Sequence, residues 1–258
     1  MSRPRWMWSA RSSGPGPPSR HGPPRPPDGT AMSAIAPRAP HRLRLLVLNP
    51  NSTVAMTERV LARLQQLAGD RIVLRGLTAP DGPPVIASRE SFAAGASAAQ
   101  RALAGVTDGW ADAVLLACYG DPGLEMLRAQ SGVPVLGMAE SSVQEAVARG
   151  RPFHILTAGR EWGPMLREAV ARQPGAAALL DGVTTLESTG LAASQDRAGF
   201  VLRVQAALDA LAAAGAPDCV LGGAGFAGLE DELHYPGRLT DGLRTALGAL
   251  DKMGRPTF

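Results

Sequence analysis

Lysine is nearly missing from this sequence: Lys252, close to the C-terminus, is the only one among 258 residues. Enzymes that use pyridoxal phosphate hold it on a lysine, and one so near the end of the chain is a poor anchor. The phosphate-binding loop GxxxxGK[ST] is absent as well. Cysteine is scarce. Cys118 and Cys219 form neither a disulfide framework nor a CxxC metal site, and a reducing cytoplasm is the expected compartment. No apolar run approaches the ~18 to 20 residues that a membrane span needs. The segment around Trp6 and Trp8 lacks the apolar stretch of a signal peptide.

Basic charge is scarce too, once its distribution is considered. Residues 1–43 carry seven arginines against one acid, Asp28, whereas the remainder holds 19 basic and 22 acidic residues. The high isoelectric point therefore belongs to the N-terminal tail. The rest offers no basic footprint for nucleic acid. Ten of the 22 prolines also fall in residues 1–42. A stretch so rich in Pro, Arg, Gly and Ser cannot bury enough apolar surface to order itself. The expectation is a disordered tail, much of it untranslated if translation starts at Met32, with an arm for nucleic acid or a membrane surface as the alternative.

What is present is a regular alternation. Leu45-Leu46-Val47-Leu48 is a short apolar run of the kind found in buried strands. It stops at Asn49-Pro50-Asn51-Ser52-Thr53, a turn and helix-start cluster, after which Val60, Leu61, Leu64 and Leu67 follow helical spacing. Further apolar runs recur at 72–77, 113–117, 133–137, 153–157, 183–186 and 219–222. Helical patterns fill 88–105, 122–130, 141–149, 161–172, 194–214 and 241–251. Strands alternating with helices predict an α/β fold with parallel sheets flanked by helices. Ligands of such sheets bind beyond the carboxyl ends of the strands. The turns after Leu48, Ala117, Gly137, Leu156 and Gly222 are the places where a site is expected.

Two of those turns repeat each other. Val114–Leu124 aligns without gaps on Cys219–Leu229 at an offset of 105 residues, so that Leu116 matches Leu221, Gly120 matches Gly225, and Gly123 matches Gly228. Each copy reads strand, glycine turn, helix. The repeat predicts two similar lobes facing one another, with Cys118 opposite Gly223. In the first copy, Asp121-Pro122 has the pattern of a helix N-cap and N1 pair. The N–H groups of such a helix start can hold a developing oxyanion, and its dipole would lower the pKa of Cys118. Cys219 lies within the apolar run and is expected to pack. The second copy also contains Gly223-Ala224-Gly225-Phe226-Ala227-Gly228, a literal GxGxxG. Too little chain follows it for the second strand of a dinucleotide-binding unit, and the repeat accounts for its glycines.

These segments resemble a known family. Leu48-Asn49-Pro50-Asn51-Ser52-Thr53 with Met56-Thr57 is similar to the start of hydantoin and allantoin racemases, in the aspartate/glutamate racemase superfamily. Ala117-Cys118-Tyr119-Gly120-Asp121-Pro122-Gly123-Leu124 resembles their first catalytic cysteine segment. Gly137-Met138-Ala139-Glu140 and Phe153-His154-Ile155-Leu156-Thr157 fit the same order. The resemblance spans roughly residues 44–245. It implies two pseudo-symmetric α/β lobes with the active site in the cleft between them. The expected division is a tail over 1–42, a first lobe over 43–139 completed by 235–258, and a second lobe over 140–234. It also implies a small-molecule substrate, no cofactor, no metal, and a dimer or larger assembly. In the implied chemistry, two cysteines flank an acidic carbon; one removes its proton and the other returns a proton to the opposite face. Cys118 is then one acid/base. The Tyr119 and Gly120 N–H groups would hold the substrate oxygen, with Asn49, Asn51 and Thr157 as further hydrogen-bond donors. Gly223, Ala224 and Gly225 would line the opposite side.

The sequence departs from the family where the second cysteine belongs, because that position is Gly223. Glycine cannot transfer a proton. Three readings follow: a racemase or epimerase with another second base, a single-cysteine decarboxylase of malonate-type acids, or a non-catalytic small-molecule binding protein. His154, His234, Asp241 and Glu140 are the titratable candidates for the second base. His154, inside an apolar strand, also fits a hydrogen-bonded core residue.

Overall fold

The apolar run at the start of the regular pattern forms strand β1 (Leu43–Asn49), whose last five residues are buried. The computed structural model describes residues 42–187, 196–215 and 217–253. Apart from Arg42, the tail of residues 1–42 and the Met32 start lie outside the described residues. After β1 come α1 (Val54–Ala68), β2 (Ile72–Thr78), α2 (Arg89–Ala104), β3 (Ala113–Leu116), α3 (Leu124–Gln130), β4 (Val135–Gly137) and α4 (Met138–Arg149). The second half runs β5 (Phe153–Ala158), α5 (Trp162–Ala171), β6 (Leu180–Leu186), α6 (Arg197–Ala213), β7 (Asp218–Gly222), β8 (Leu239–Asp241) and α7 (Gly242–Lys252).

The strands make two four-stranded sheets, ordered β2-β1-β3-β4 and β6-β5-β7-β8, with every pairing parallel. Parallel sheets are covered on both faces, which is why their central strands read as unbroken apolar runs rather than alternating ones. All four residues of β3 are buried, as are Leu45 to Leu48 of β1. Truncating one such leucine to alanine costs about 2–5 kcal/mol. One apolar cluster spans the two sheets, joining Leu45, Val47, Leu115 and Met138 to Phe153, Ile155, Val220 and Leu243.

The internal repeat is carried by the topology. Leu116 lies between Leu48 and Gly137 in the first sheet; Leu221 lies between Leu156 and Asp241 in the second. The two neighbourhoods share the same register, with the 105-residue offset of the sequence repeat holding between β3 and β7. Asn49 and Thr157 are therefore equivalent, and so are Gly137 and Asp241.

Three expectations need correction. The second copy is not followed by an α-helix. A three-residue 3₁₀ turn, Ala224–Phe226, leads into turns that bury Leu229 and Tyr235 against β7 and α6, and the Tyr235 hydroxyl donates to the Pro217 carbonyl at 2.6 Å. Strand β8, too short for a sequence signal, pairs with β7. The second sheet thus continues past residue 234, while α7 packs on α4, α1 and β4. Lastly, Asp121-Pro122 does not start α3. Gly123, in the left-handed region at φ 75°, is its N-cap.

Candidate active site

The ends of the central strands converge on a cavity of about 90 Å³. Its walls come from both lobes. Asn51, Thr53 and Met56 follow β1, Pro84 to Ile86 follow β2, and Ala117 to Tyr119 follow β3. The second lobe contributes Thr157, Ala158 and Trp162 around the end of β5, and Gly222 to Phe226 at the end of β7. No lysine, arginine, histidine, aspartate or glutamate is among these residues. Cys118 is thus a titratable side chain in an otherwise uncharged, mostly apolar chamber.

Cys118 is 8% exposed, and its Sγ lies 3.8 Å from the Tyr119 carbonyl oxygen. Burial, reinforced by the nearby Asp121 carboxylate, pushes the thiol well above the ordinary cysteine range. This overturns the expected thiolate at a helix start: α3 begins six residues later and its N-terminus is capped by a glycine. Asp121 itself has a positive φ of 57°. Its carboxylate accepts hydrogen bonds from the N–H groups of Ala139 (3.2 Å) and Glu140 (2.7 Å), at the N-terminus of α4. The residue expected to cap its own helix caps the next one instead. Burial raises its pKa to about 7 even though those two N–H groups favour the charged form.

The predicted site residues divide on inspection. Asn51, Tyr119, Thr157, Gly223, Ala224 and Gly225 line the cavity with Cys118. Asn49 does not. It is buried, and its side-chain N–H₂ donates to Asn51 Oδ1, the Thr53 carbonyl and Thr57 Oγ1, which shapes the turn after β1. Gly120 also lies outside, behind Trp162, and lines a neighbouring cavity. The Thr157 hydroxyl donates to the Gly222 carbonyl, so toward a ligand it is an acceptor rather than the expected donor. Asn51 is the better donor. Its Oδ1 accepts from Asn49 and from the Thr53 N–H, while its side-chain N–H₂ makes no hydrogen bond among the described residues.

None of the candidate second bases reaches the cavity. The two ring nitrogens of His154 bond Asp181 and Thr184, each at 2.9 Å, as a satisfied residue between β5 and β6 would. His234 is exposed on a loop held by Gln205. Glu140 pairs with Arg128. Asp241 caps α7 by accepting the Arg244 N–H at 2.7 Å. Cys219 is fully buried in β7, its pKa pushed up to about 12 by burial. The GxGxxG segment turns as a 3₁₀ turn, without the helix N-terminus on which a pyrophosphate sits. Among the described residues, no group of His, Cys, Asp and Glu is arranged to hold a metal, and no helix is long and apolar enough to cross a membrane.

Met56, Pro84, Val85, Ile86, Trp162 and Phe226 were not foreseen. Trp162 stood just past a strand end, which was a usable signal. Pro84 to Ile86 belong to a long connection after β2 with no pattern of its own. Contacts bring it in: Ser52 N–H donates to the Pro83 carbonyl (3.1 Å) and the Thr53 hydroxyl to the Pro84 carbonyl (2.7 Å).

The profile of the Asp/Glu/hydantoin racemase family matches residues 45–250. A hydantoin racemase from Paenarthrobacter aurescens is 32% identical over 201 residues, covering 75% of this chain and 84% of that protein. A hydantoin racemase from Rhizobium meliloti is 31% identical, covering 74% and 80%. Among solved structures, an allantoin racemase from Klebsiella pneumoniae has a TM-score of 0.72 at 27% identity, over 82% of this chain and 87% of that one. An allantoin racemase from Pseudomonas fluorescens shares the fold with a TM-score of 0.75 at 23% identity, over 82% and 90%. The two parallel sheets, the cleft between them and the matched sequence place this chain in the Asp/Glu/hydantoin racemase family.

Proposed function

We propose that this protein is a cofactor-independent racemase or epimerase of the hydantoin racemase group, with Cys118 as its acid/base. One observation carries the reading: the Cys118 thiol faces a chamber that both lobes line and that, among the described residues, holds no charged side chain. An uncharged chamber suits a neutral substrate, such as a hydantoin- or allantoin-like cyclic amide, rather than a free amino acid whose carboxylate would need a cation. The substrate carbonyl would lie toward the Asn51 side-chain N–H₂ and the backbone N–H groups of Tyr119 and Gly223. Oriented donors of this kind stabilise the enolate oxygen that forms when the neighbouring C–H bond breaks.

In this mechanism Cys118 reacts through the minor fraction of its thiol that is ionised: the thiolate takes the proton, the C–H electron pair forms the C=C bond of the enolate, and the carbonyl π pair moves onto oxygen. On the opposite face stands Gly223, so a solvent water supplies the new proton there; the hydroxide it leaves recovers a proton from the Cys118 thiol through solvent. Such a thiol works reduced, in keeping with a cytoplasmic enzyme, and a dimer or larger assembly remains part of the reading.

A second reading is favoured by the same asymmetry. A buried thiol held neutral on one face is suited to protonate a carbanion, as a decarboxylase of malonate-type acids does.

Proton NMR in D2O on optically pure allantoin and 5-substituted hydantoins, with polarimetry on the same samples and protein-free controls, tests both. Exchange with loss of rotation supports the racemase. Exchange with rotation retained restricts the enzyme to one face. Silence in both channels, with carbon dioxide released from a malonate, replaces it by the decarboxylase. Cys118→Ala abolishes turnover in either case and leaves the fold intact.

A further inference from the structure

Trp162 is shared by two cavities. One is the chamber of about 90 Å³ that contains Cys118; the other, of about 160 Å³, lies behind the indole between α2 and α5. The indole is seated firmly. It meets the Phe92 ring edge-on, with centroids 6.1 Å apart and planes at 75°. It also lies against Gly120, where φ is +106° and a Cβ would fall 2.5 Å from Trp162 Cζ3. Only a bare backbone at Gly120 allows the ring so close. Outside it, Arg89 of α2 and Glu168 of α5 form an ion pair across the two lobes. The Trp162 side chain, braced by Phe92 and Gly120, thus stands between the two cavities.

We propose that Trp162 determines substrate size: its indole closes the catalytic chamber and restricts the substituent on the reacting carbon to a small group. The space behind it, walled by Phe92, Met165 and Ala169, takes an apolar substituent of benzyl size when the indole is shortened. Arg89 and Glu168 at its rim are paired with each other, and Arg172 completes the lining. The proposal rests on the hydantoin racemase reading for its substrates, but the partition itself is readable without turnover.

The experiment compares wild type, Trp162→Ala and Trp162→Phe by two ratios. The first is kcat/KM for 5-benzylhydantoin over 5-methylhydantoin, from exchange in D2O. The second is the rate of Cys118 alkylation by N-benzyliodoacetamide over iodoacetamide, followed by intact mass with Cys118→Ser as the blank. One methylene in a fitted pocket is worth roughly 10–200-fold in discrimination, so both ratios should rise at least about tenfold in Trp162→Ala. Trp162→Phe, which keeps an aromatic ring against Phe92, should fall between. A folded Trp162→Phe or Trp162→Ala protein with both ratios unmoved overturns the proposal while wild-type turnover leaves the hydantoin reading standing. A shifted alkylation ratio with no hydantoin turnover in any form upholds the partition and rejects that reading instead.

Discussion

The carboxyl group of Asp121 fills the place that a side chain on Gly137 would take: a Cβ at Gly137 would lie 2.4 Å from Asp121 Cγ and from Oδ2. From there Asp121 caps α4 and ties the loop that carries Cys118 to the next strand–helix junction. The second lobe solves the equivalent problem differently. Asp241, in register with Gly137, caps α7 with its own side chain. Each lobe keeps an acid at this helix start but takes it from a different strand.

Gly137→Ala should therefore cost more than the exchange of a favoured N-cap residue of α4 for alanine would by itself. The added methyl displaces Asp121, and overpacking of this kind costs about 1–3 kcal/mol. Combining it with Asp121→Ala removes the clash, so the double variant should lose less than the sum of the two single losses. Urea denaturation of the four proteins measures the coupling; strict additivity would refute the steric account.

Asp121→Asn should lower the pH at which Cys118 reacts. The carboxylate helps to hold the thiol protonated, and an amide removes that charge while still accepting a hydrogen bond. The iodoacetamide rate against pH should shift toward lower pH in the variant, with the fully buried Cys219 as an unreactive internal reference. A second consequence concerns stability. Asp121 titrates near 7 in the folded protein against 3.8 unperturbed, so between those values the folded state binds the extra proton. Its contribution then falls as pH rises through that window and is level outside it. Chemical denaturation should show a shallower loss of stability from acidic to neutral pH in Asp121→Asn than in wild type.

Arg63 of α1 reaches into the second lobe, pairing with Glu230 and Asp231. Asp241 adjoins this cluster, and burial with the Glu230 charge raises its pKa to about 7. Removing the guanidinium leaves buried carboxyls facing one another with the half-exposed Arg244 as their remaining cation. Arg63→Ala should cost about 3–5 kcal/mol at neutral pH. The loss should shrink under acidic conditions, where the buried Asp241 carboxyl is protonated and the repulsion it feels is relieved. A denaturation series across pH checks the sign; a loss that grows on acidification would contradict it.

Gly223→Cys should restore a two-thiol site. The backbone there is extended, with φ 160°, and a Cβ would touch only the Phe226 ring, at 3.2 and 3.5 Å. A small movement of that ring accommodates it, so the protein should fold. Loss of optical rotation should then accelerate relative to deuterium exchange, because a thiol on the second face replaces solvent. No change in that ratio would place the reacting carbon elsewhere in the cleft.

Much of the architecture was legible in the sequence. The apolar runs located seven of the eight strands found among the described residues, because buried parallel strands must be apolar on both faces. The repeat at 114–124 and 219–229 announced the twofold arrangement of the sheets. The turns that carry Cys118, Asn51 and Thr157 were marked in advance because ligands bind at strand ends in such sheets; the particular side chains came from the family resemblance, and these three line the cavity. What tertiary structure alone decided was direction and partnership. The local pattern around Asp121 could not reveal that its carboxylate points across to α4, since that contact depends on the packing of β3 beside β4. Asn49 carried the same motif as Asn51 yet spends its amide inside its own turn. The thiol's raised pKa came from burial and from a charge placed by the fold, neither of which a helix-start pattern records. Periodicity encodes which faces are buried, so the sheets and their repeat could be read from the residues in order; the electrostatics of the site depend on distances between residues far apart in the chain, and those exist only once it has folded.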